Sequence, residues 1–283
     1  MLRIAIQSKG RLYEESMALL DEAGIKIPGG KRTLLVPARN FPVEVLFLRD
    51  DDIPESVASG VADVGIVGLN EVFEKRCPVG VLKKLGFGKC RLSLAIPQDI
   101  DYPGKQWFSG KKIATSYPGI LSDYLHRNDL DADIHVITGS VEIAPGIRLA
   151  DAIFDIVSSG STLVSNRLKE VERVVESEAV LIGSDSMTEA KREILDELMF
   201  RFDSVQVADD KKYILMNVPQ DKLGEVLSVL PGIKSPTVMP LADKSWCSVH
   251  TVLDEKCFWE IINRLKAAGA EGILVLDIEK MIL

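Results

Sequence analysis

Strand, loop and helix succeed one another repeatedly in the first quarter of the chain, and this order points to an open α/β sheet. Leu2, Ile4 and Ile6 share one strand face. The turn Ser8-Lys9-Gly10-Arg11 follows, then a helix carrying Leu12, Ser16, Leu19, Leu20 and Ala23, closed by Gly24. Thr33–Val36 and Val43–Leu48 read as strands. Asp52-Ile53-Pro54-Glu55 opens a short helix, with Asp52 expected as its cap and Gly60 as its end. Asp63–Val67 is an apolar run of buried-strand type, and Gly68-Leu69-Asn70-Glu71 begins the next helix. In such sheets ligands bind at the loops beyond the carboxyl ends of the strands.

A second α/β unit begins near Arg91. Leu92–Ile96 and Lys112–Ala114 are its first strands, and Tyr117-Pro118-Gly119 leads into a helix holding Leu121, Tyr124 and Leu125. This unit contains the stretch from Ala150 to Leu163, an apolar strand ending on an acid and then a loop of small hydroxyl residues around one glycine. The loop Ser158–Thr162 can turn several backbone N–H groups and hydroxyls toward one anion. A polar strand-to-helix turn would have the same composition. Asp155 shifts the balance, because a carboxylate late in an apolar strand is costly to bury unpaired. It calls for ribose hydroxyls or a metal, and a phosphorylated ribose would suit both halves of the stretch. Asp151 reads as a solvated or loop charge. Val174–Ile182 is expected to return the chain to the first unit, leaving two lobes with a cleft between them.

From about Lys211 a separate module follows. Tyr213–Val218 is a strand, and Leu223, Val226, Leu227 and Leu230 have helical spacing. Thr237–Leu241 and Trp246–Val252 are strands joined by a turn. Phe258, Ile261, Ile262 and Leu265 repeat the helical spacing, Gly269 stops that helix, and Ile273–Ile278 is the last strand. The order βαββαβ is that of a ferredoxin-like (ACT-like) module.

The 283 residues suffice for two or three domains. The predicted division is 1–90 with 183–210 as the first lobe, 91–182 as the second, and 211–283 as the terminal module. A net charge of −8 argues against nucleic acid as a partner, so a phosphorylated ligand must be held by local basic residues. Cys77, Cys90, Cys247 and Cys257 are scattered, which suits a reducing cytoplasm, and His126, His135 and His250 form no ligand set; neither fact suggests zinc. The chain opens directly on a strand, so no signal peptide is expected, and no apolar run is long enough to span a bilayer.

Lys9, Gly10 and Arg11 lie where an anion would sit beyond the first strand, although a solvated turn would look alike. Arg49, Asp50, Asp51 and Asp52 follow another strand end; Asp50 and Asp51 are open to metal binding, base acceptance or simple solvation. Lys89 and Arg91 flank Cys90, which reads as buried filler and not as a nucleophile. No Ser-His-Asp set, P-loop or Rossmann glycine motif is present.

Taken in order, Gln7–Leu12, Arg49–Pro54, Asp63–Gly68, Gly86–Ser93, Ile113–Pro118, Gly139–Glu142, the stretch ending at Leu163, Ser235–Thr237 and Ile273–Val275 resemble the long form of ATP phosphoribosyltransferase, the first enzyme of histidine biosynthesis, over essentially the whole chain. The resemblance implies attack of ATP N1 on C1′ of 5-phosphoribosyl pyrophosphate, with loss of pyrophosphate and a requirement for Mg2+. It implies a two-lobed, periplasmic-binding-protein-like catalytic part, a terminal module that binds histidine as feedback inhibitor, and a homodimer or homohexamer. Glu142, Asp155, Ser158, Ser159, Gly160, Ser161 and Thr162 would then hold the phosphoribosyl group. Lys9, Gly10, Arg11, Arg49, Asn70, Glu71 and Arg91 would meet ATP or the polyphosphates. Asn217, Ile233, Ser235, Thr237, Val252 and Gly272 would hold histidine, with Asn217 standing where some relatives have aspartate. No residue is assigned as catalytic, and the metal ligands are left open. Arg148 departs from the family's usual glycine: it either strains the lead-in to the loop or adds a cation near the phosphates. Two rival readings are a non-catalytic two-lobed small-molecule-binding protein with a sensor domain, and a short-form-like subunit needing an accessory protein; the extra terminal module argues against the second.

Overall fold

The computed structural model describes residues 1–28, 33–184, 187–231 and 236–283. The chain separates into two compact units, Met1–Glu197 and Leu198–Leu283. The described strands and helices of the first unit run β1 (Leu2–Gln7), α1 (Arg11–Glu22), β2 (Leu35–Pro37), β3 (Val43–Leu48), α2 (Ile53–Ala58), β4 (Val64–Gly68), α3 (Leu69–Lys75), β5 (Gly80–Lys84), β6 (Cys90–Pro97), β7 (Lys112–Thr115), α4 (Pro118–Arg127), β8 (Asp133–Val136), β9 (Ala152–Val157), α5 (Ser161–Ser165), β10 (Leu168–Ser177) and β11 (Ala179–Gly183), ending in the start of α6 (Glu189–Ala208).

Two sheets divide this unit. The first has the order β2-β3-β1-β4-β11-β5, with β1 parallel to both β3 and β4. The second has the order β10-β6-β9-β7-β8, with β7, β8 and β9 parallel. This is the two-lobed, periplasmic-binding-protein-like arrangement that the resemblance implies. Apolar side chains explain each layer. Ala5, Ile53, Val57, Val67, Val180 and Ile182 join α2 to the first sheet. Leu92, Leu94, Phe154, Leu121 and Tyr124 join α4 to one face of the second. Burying each such side chain is worth about 2 kcal/mol.

The structure adds detail to the expected boundaries and removes one expected cap. Asp52 makes no cap hydrogen bond, because a 3-10 turn over Asp50–Asp52 already places it in a helical conformation. The return segment Val174–Ile182 is two strands: β10 stays with the second sheet, and β11 joins the first, antiparallel to β4. The second lobe therefore ends near Ser177 and not at 182. The compact division falls inside α6, at Leu198.

The second unit contains the end of α6, β12 (Lys211–Pro219), α7 (Leu223–Val229), β13 (Thr237–Pro240), β14 (Trp246–Asp254), α8 (Glu255–Ala267) and β15 (Glu271–Asp277). Its antiparallel sheet has the order β13-β14-β12-β15, as a ferredoxin-like module requires. Alternation along β12 sends Ile214, Met216 and Val218 to the helices, where Val226, Phe258, Ile261 and Leu265 meet them. Tyr213, Leu215 and Asn217 consequently take the opposite face.

Arg148 has φ +63°, the left-handed region. The Arg148 N–H donates to the Pro145 carbonyl and the Leu149 N–H to that of Ala144. These are the two bonds of a Schellman motif, with Arg148 at its C′ position, where glycine is favoured. Gly24 occupies the same position after α1, at φ +75°. The strain reading of Arg148 is therefore the one with a backbone cause. Arg148→Gly is expected to stabilise the protein by about 0.5–1 kcal/mol, since relief of left-handed strain exceeds the entropy glycine adds to the unfolded chain. Thermal melting checks this: Tm should rise by about 2 °C, and an unchanged or lower Tm would reject it.

Candidate active site

The carboxyl ends of β1, β3 and β4 in the first lobe and of β9 in the second bring their loops to one cleft of about 270 Å³. Gln7, Arg11, Asp50, Asn70, Glu71 and Lys89 line it from the first lobe, and Ile156 and Ser158 from the second. Arg11, Asn70, Glu71 and Ser158 are thus brought together as site candidates. Lys9, Gly10 and Arg49 stand at the same loops without lining this cleft. Arg11 opens α1 and is exposed, pairing with Glu15 in its own helix at 3.2 Å. Gly10, at φ +93°, gives the chain its sharp entry into α1. Asp51 lies between Arg49 and Lys75, at 3.5 and 3.6 Å, while Asp50 faces the cleft.

Behind the cleft a buried polar network crosses from one lobe to the other. The Ser177 hydroxyl donates to Asn70 Oδ1 at 2.8 Å, and the Asn70 backbone N–H donates to Ser177 Oγ at 3.0 Å. Asn70 Nδ2 donates to Glu71 Oε1 at 3.0 Å and to the Tyr117 hydroxyl oxygen at 3.3 Å. Burial, reinforced by Asp50, pushes the Glu71 carboxyl up to about 7. Burial, with Glu71 beside it, raises the Tyr117 phenol well above its ordinary value. Burial also raises the Cys90 thiol, as suits a lining residue that is not a nucleophile.

In the second lobe Val157 and Leu163, on either side of the hydroxyl loop, are both buried in one apolar cluster and anchor its ends. Between them Gly160 has φ +83°, and Ser159 Oγ lies 3.0 Å from Ser161 Oγ. Ser158, Ser159, Ser161 and Thr162 are exposed. Asp155 is three residues earlier on β9. Its Oδ1 accepts the adjacent Ile156 N–H at 2.8 Å. Burial is the main cause that raises its carboxyl to about 6, with Glu142 adding like charge. Glu142 sits in a 3-10 turn entered through Ser140 at φ +52°. Asp151 instead accepts the Lys112 backbone N–H at 2.9 Å, a structural anchor for β7.

Arg91 is engaged by a carboxylate of the second sheet and by the loop backbone. Its Nε–H donates to Glu170 Oε1 at 2.6 Å and its Nη2–H to Glu170 Oε2 at 2.5 Å. Its Nη1–H donates to the Ser158 carbonyl at 2.9 Å. Sequence reasoning missed Glu170, Ser177 and the Glu74 carboxylate, which accepts the Gly119 and Ile120 N–H groups at 2.8 and 2.9 Å. No local pattern marks these residues, since each acts on a residue far away in sequence. Among the described residues no group of three or more His, Cys, Asp or Glu could by itself hold a metal ion. No described helix is long and apolar enough to cross a membrane.

In the second unit Asn217, Thr237 and Val252 take the sheet face opposite the helices, and Gly272 lies where β15 breaks register with β12. A Cβ on Gly272 would come within 3.2 Å of Asn217 Nδ2, so those two residues are direct neighbours. Ile233 and Ser235 lie outside the described residues.

The family model described as ATP phosphoribosyltransferase matches residues 49–204, and that described as HisG, C-terminal domain, matches residues 208–280. The chain is 71% identical to an ATP phosphoribosyltransferase of Phocaeicola vulgatus and 70% identical to one of Bacteroides fragilis, each over 283 residues and the full length of both chains. Among solved structures it is similar to an ATP phosphoribosyl transferase (HisG:HisZ) complex from Thermotoga maritima, with TM-score 0.62 and 28% identity over 71% of this chain and 98% of that one.

Proposed function

This chain belongs to the ATP phosphoribosyltransferase family, in its long form, and from that premise we propose which residues hold which substrate. The protein transfers the phosphoribosyl group of 5-phosphoribosyl pyrophosphate to N1 of ATP, the first step of histidine biosynthesis. Loss of pyrophosphate from C1′ gives an oxocarbenium-like transition state. Its needs are stabilisation of leaving-group charge and correct placement of a neutral adenine nitrogen, and a protein nucleophile is unnecessary.

In this reading Ser158–Thr162 holds the 5′-phosphate and Asp155 the ribose hydroxyls, with Glu142 on the sugar side. Lys9, Gly10, Arg11, Arg49, Asn70 and Glu71 serve ATP and the polyphosphates from the first lobe, with Arg91 beside them on β6. The observation that carries it is Asp155, a carboxylate kept partly buried beside an exposed hydroxyl loop and paired with no cation among the described residues. Two hydroxyls of a ribose are the partners it lacks. Mg2+ binds by one or two carboxylates plus substrate phosphates, so Asp155 and Glu142 suffice on the protein side when the phosphates bring the ion. The metal would supply charge neutralisation on the departing pyrophosphate.

We further propose that the terminal module binds histidine as feedback inhibitor, around Asn217, Thr237, Val252 and Gly272, and that the cytoplasmic protein assembles as a homodimer or homohexamer. Support for assembly comes from the exposed Tyr213, Leu274 and Leu276 on the open sheet face. The test mixes protein, ATP, Mg2+ and 5-phosphoribosyl pyrophosphate and follows the absorbance of the N1-substituted adenine. Product formation that histidine suppresses is expected. Saturable binding of the substrates without pyrophosphate release would favour the non-catalytic alternative, and activity without a thermal shift from millimolar histidine would reject the regulatory reading.

A further inference from the structure

We propose that Glu170 is a positioning residue for the phosphoribosyl loop and acts on it through Arg91. This rests on the reading of Ser158–Thr162 as the phosphate cradle.

Glu170 lies near the start of β10, where the pairing with β6 slips between Glu170 and Glu172. Such a bulge re-aims the side chains beside it. The Glu170 carboxylate is 19% exposed and takes donors from three side chains: Arg91 through both Nε and Nη2, the Ser93 hydroxyl at 2.9 Å, and Arg173 Nε at 3.1 Å. Arg91 foremost holds its carboxyl down at about 2, so it is an anion at any working pH. A bidentate, charge-assisted pair fixes the plane of the guanidinium. That plane aims Nη1 at one target, the carbonyl of Ser158.

Ser158 is the first residue of the loop. In a trans peptide the C=O and the following N–H point in opposite directions. Holding the Ser158 carbonyl on Arg91 therefore turns the Ser159 N–H the other way and prevents this peptide from flipping. An anion cradle made of backbone N–H groups depends on just that orientation. Ser93, a second donor to Glu170, is the register partner of Asp155 across β6 and β9. One carboxylate thus braces both halves of the phosphoribosyl stretch without lining the substrate cleft.

Steady-state kinetics of Glu170→Gln test this. The amide keeps the size of the side chain and its contact with Ser93 and loses the charge-assisted fork. KM for 5-phosphoribosyl pyrophosphate is expected to rise about tenfold or more, while KM for ATP stays within about twofold and Tm shifts little. In an Arg91→Ala background the same substitution should add nothing further to that KM, because its path is already cut. Equal rises in both KM values, or additive effects of the two substitutions, would overturn the inference. Ser161→Ala/Thr162→Ala serves as the reference. If it leaves the KM for 5-phosphoribosyl pyrophosphate unchanged, the cradle reading fails and takes this inference with it. If it raises that KM while Glu170→Gln does not, only the role of Glu170 fails.

Discussion

Asp155→Asn is expected to reduce kcat by at least about 100-fold and, at neutral pH, to make the protein more stable. The folded structure raises this carboxyl from 3.8 to about 6, burial being the larger cause and Glu142 a smaller one. The folded state therefore binds protons more tightly than the unfolded state, and the charged form is the penalised one. Below the unfolded value both states are protonated and no penalty exists. It accumulates as pH rises from about 4 to 6 and is complete above that, reaching the order of 2 kcal/mol. Asparagine removes it and can still accept the Ile156 N–H. Melting curves of the variant and the parent should nearly coincide at pH 4 and separate at pH 7, with the variant higher. A variant less stable at pH 7, or one that turns over normally, would remove Asp155 from the site. The Glu71 carboxyl, raised to about 7, places a second loss of stability in the window between about pH 4.5 and 7, with the same sign.

Glu74→Ala is expected to cost about 2 kcal/mol and to lower turnover, although Glu74 does not line the cleft. Glu74 belongs to α3 in the first lobe, and its carboxylate accepts the first free N–H groups of α4 in the second lobe. Gly119 makes this approach possible, since a Cβ there would sit 3.1 Å from Glu74 Oε1. Arg76, at the end of the same helix, donates to the Gly119 carbonyl and pairs with Asp123 on α4. Loss of the carboxylate frees two N–H groups and loosens the registration of Tyr117 against Asn70. Misplacement by about 1 Å is enough to cost up to about 100-fold in rate. The check is a Tm drop of about 5 °C together with reduced kcat. A Tm drop with unaltered kcat would show that the latch carries stability alone.

The parts legible in the chain are those with a local cause. Period-two and period-3.6 apolar patterns mark most strands and helices, because burial selects one face of each. Gly24 and Gly160 mark conformations that side chains resist. The small hydroxyl loop after Asp155 is visible because its anion-binding groups are consecutive. Asp52 misled because the capping residue type was present while a 3-10 turn had already begun at Asp50. Val174–Ile182 returns the chain to the first sheet as expected, but nothing local marks the change of sheet at Glu178, between β10 and β11.

The sequence by itself determined the two-sheet α/β catalytic part, the βαββαβ module, the candidate phosphoribosyl loop and, through its ordered motifs, the family. Those features follow from residue type and short spacing. Only the tertiary structure decided that Arg91 braces the Ser158 carbonyl, that Glu71 and Asp155 are pushed toward neutrality, and that Arg148 bears left-handed strain. The physical reason is that guanidinium partners and buried-carboxyl energetics are set by groups distant in sequence, 79 positions in the case of Arg91 and Glu170. The backbone conformation of Arg148, likewise, is imposed by the helical turn that it must end.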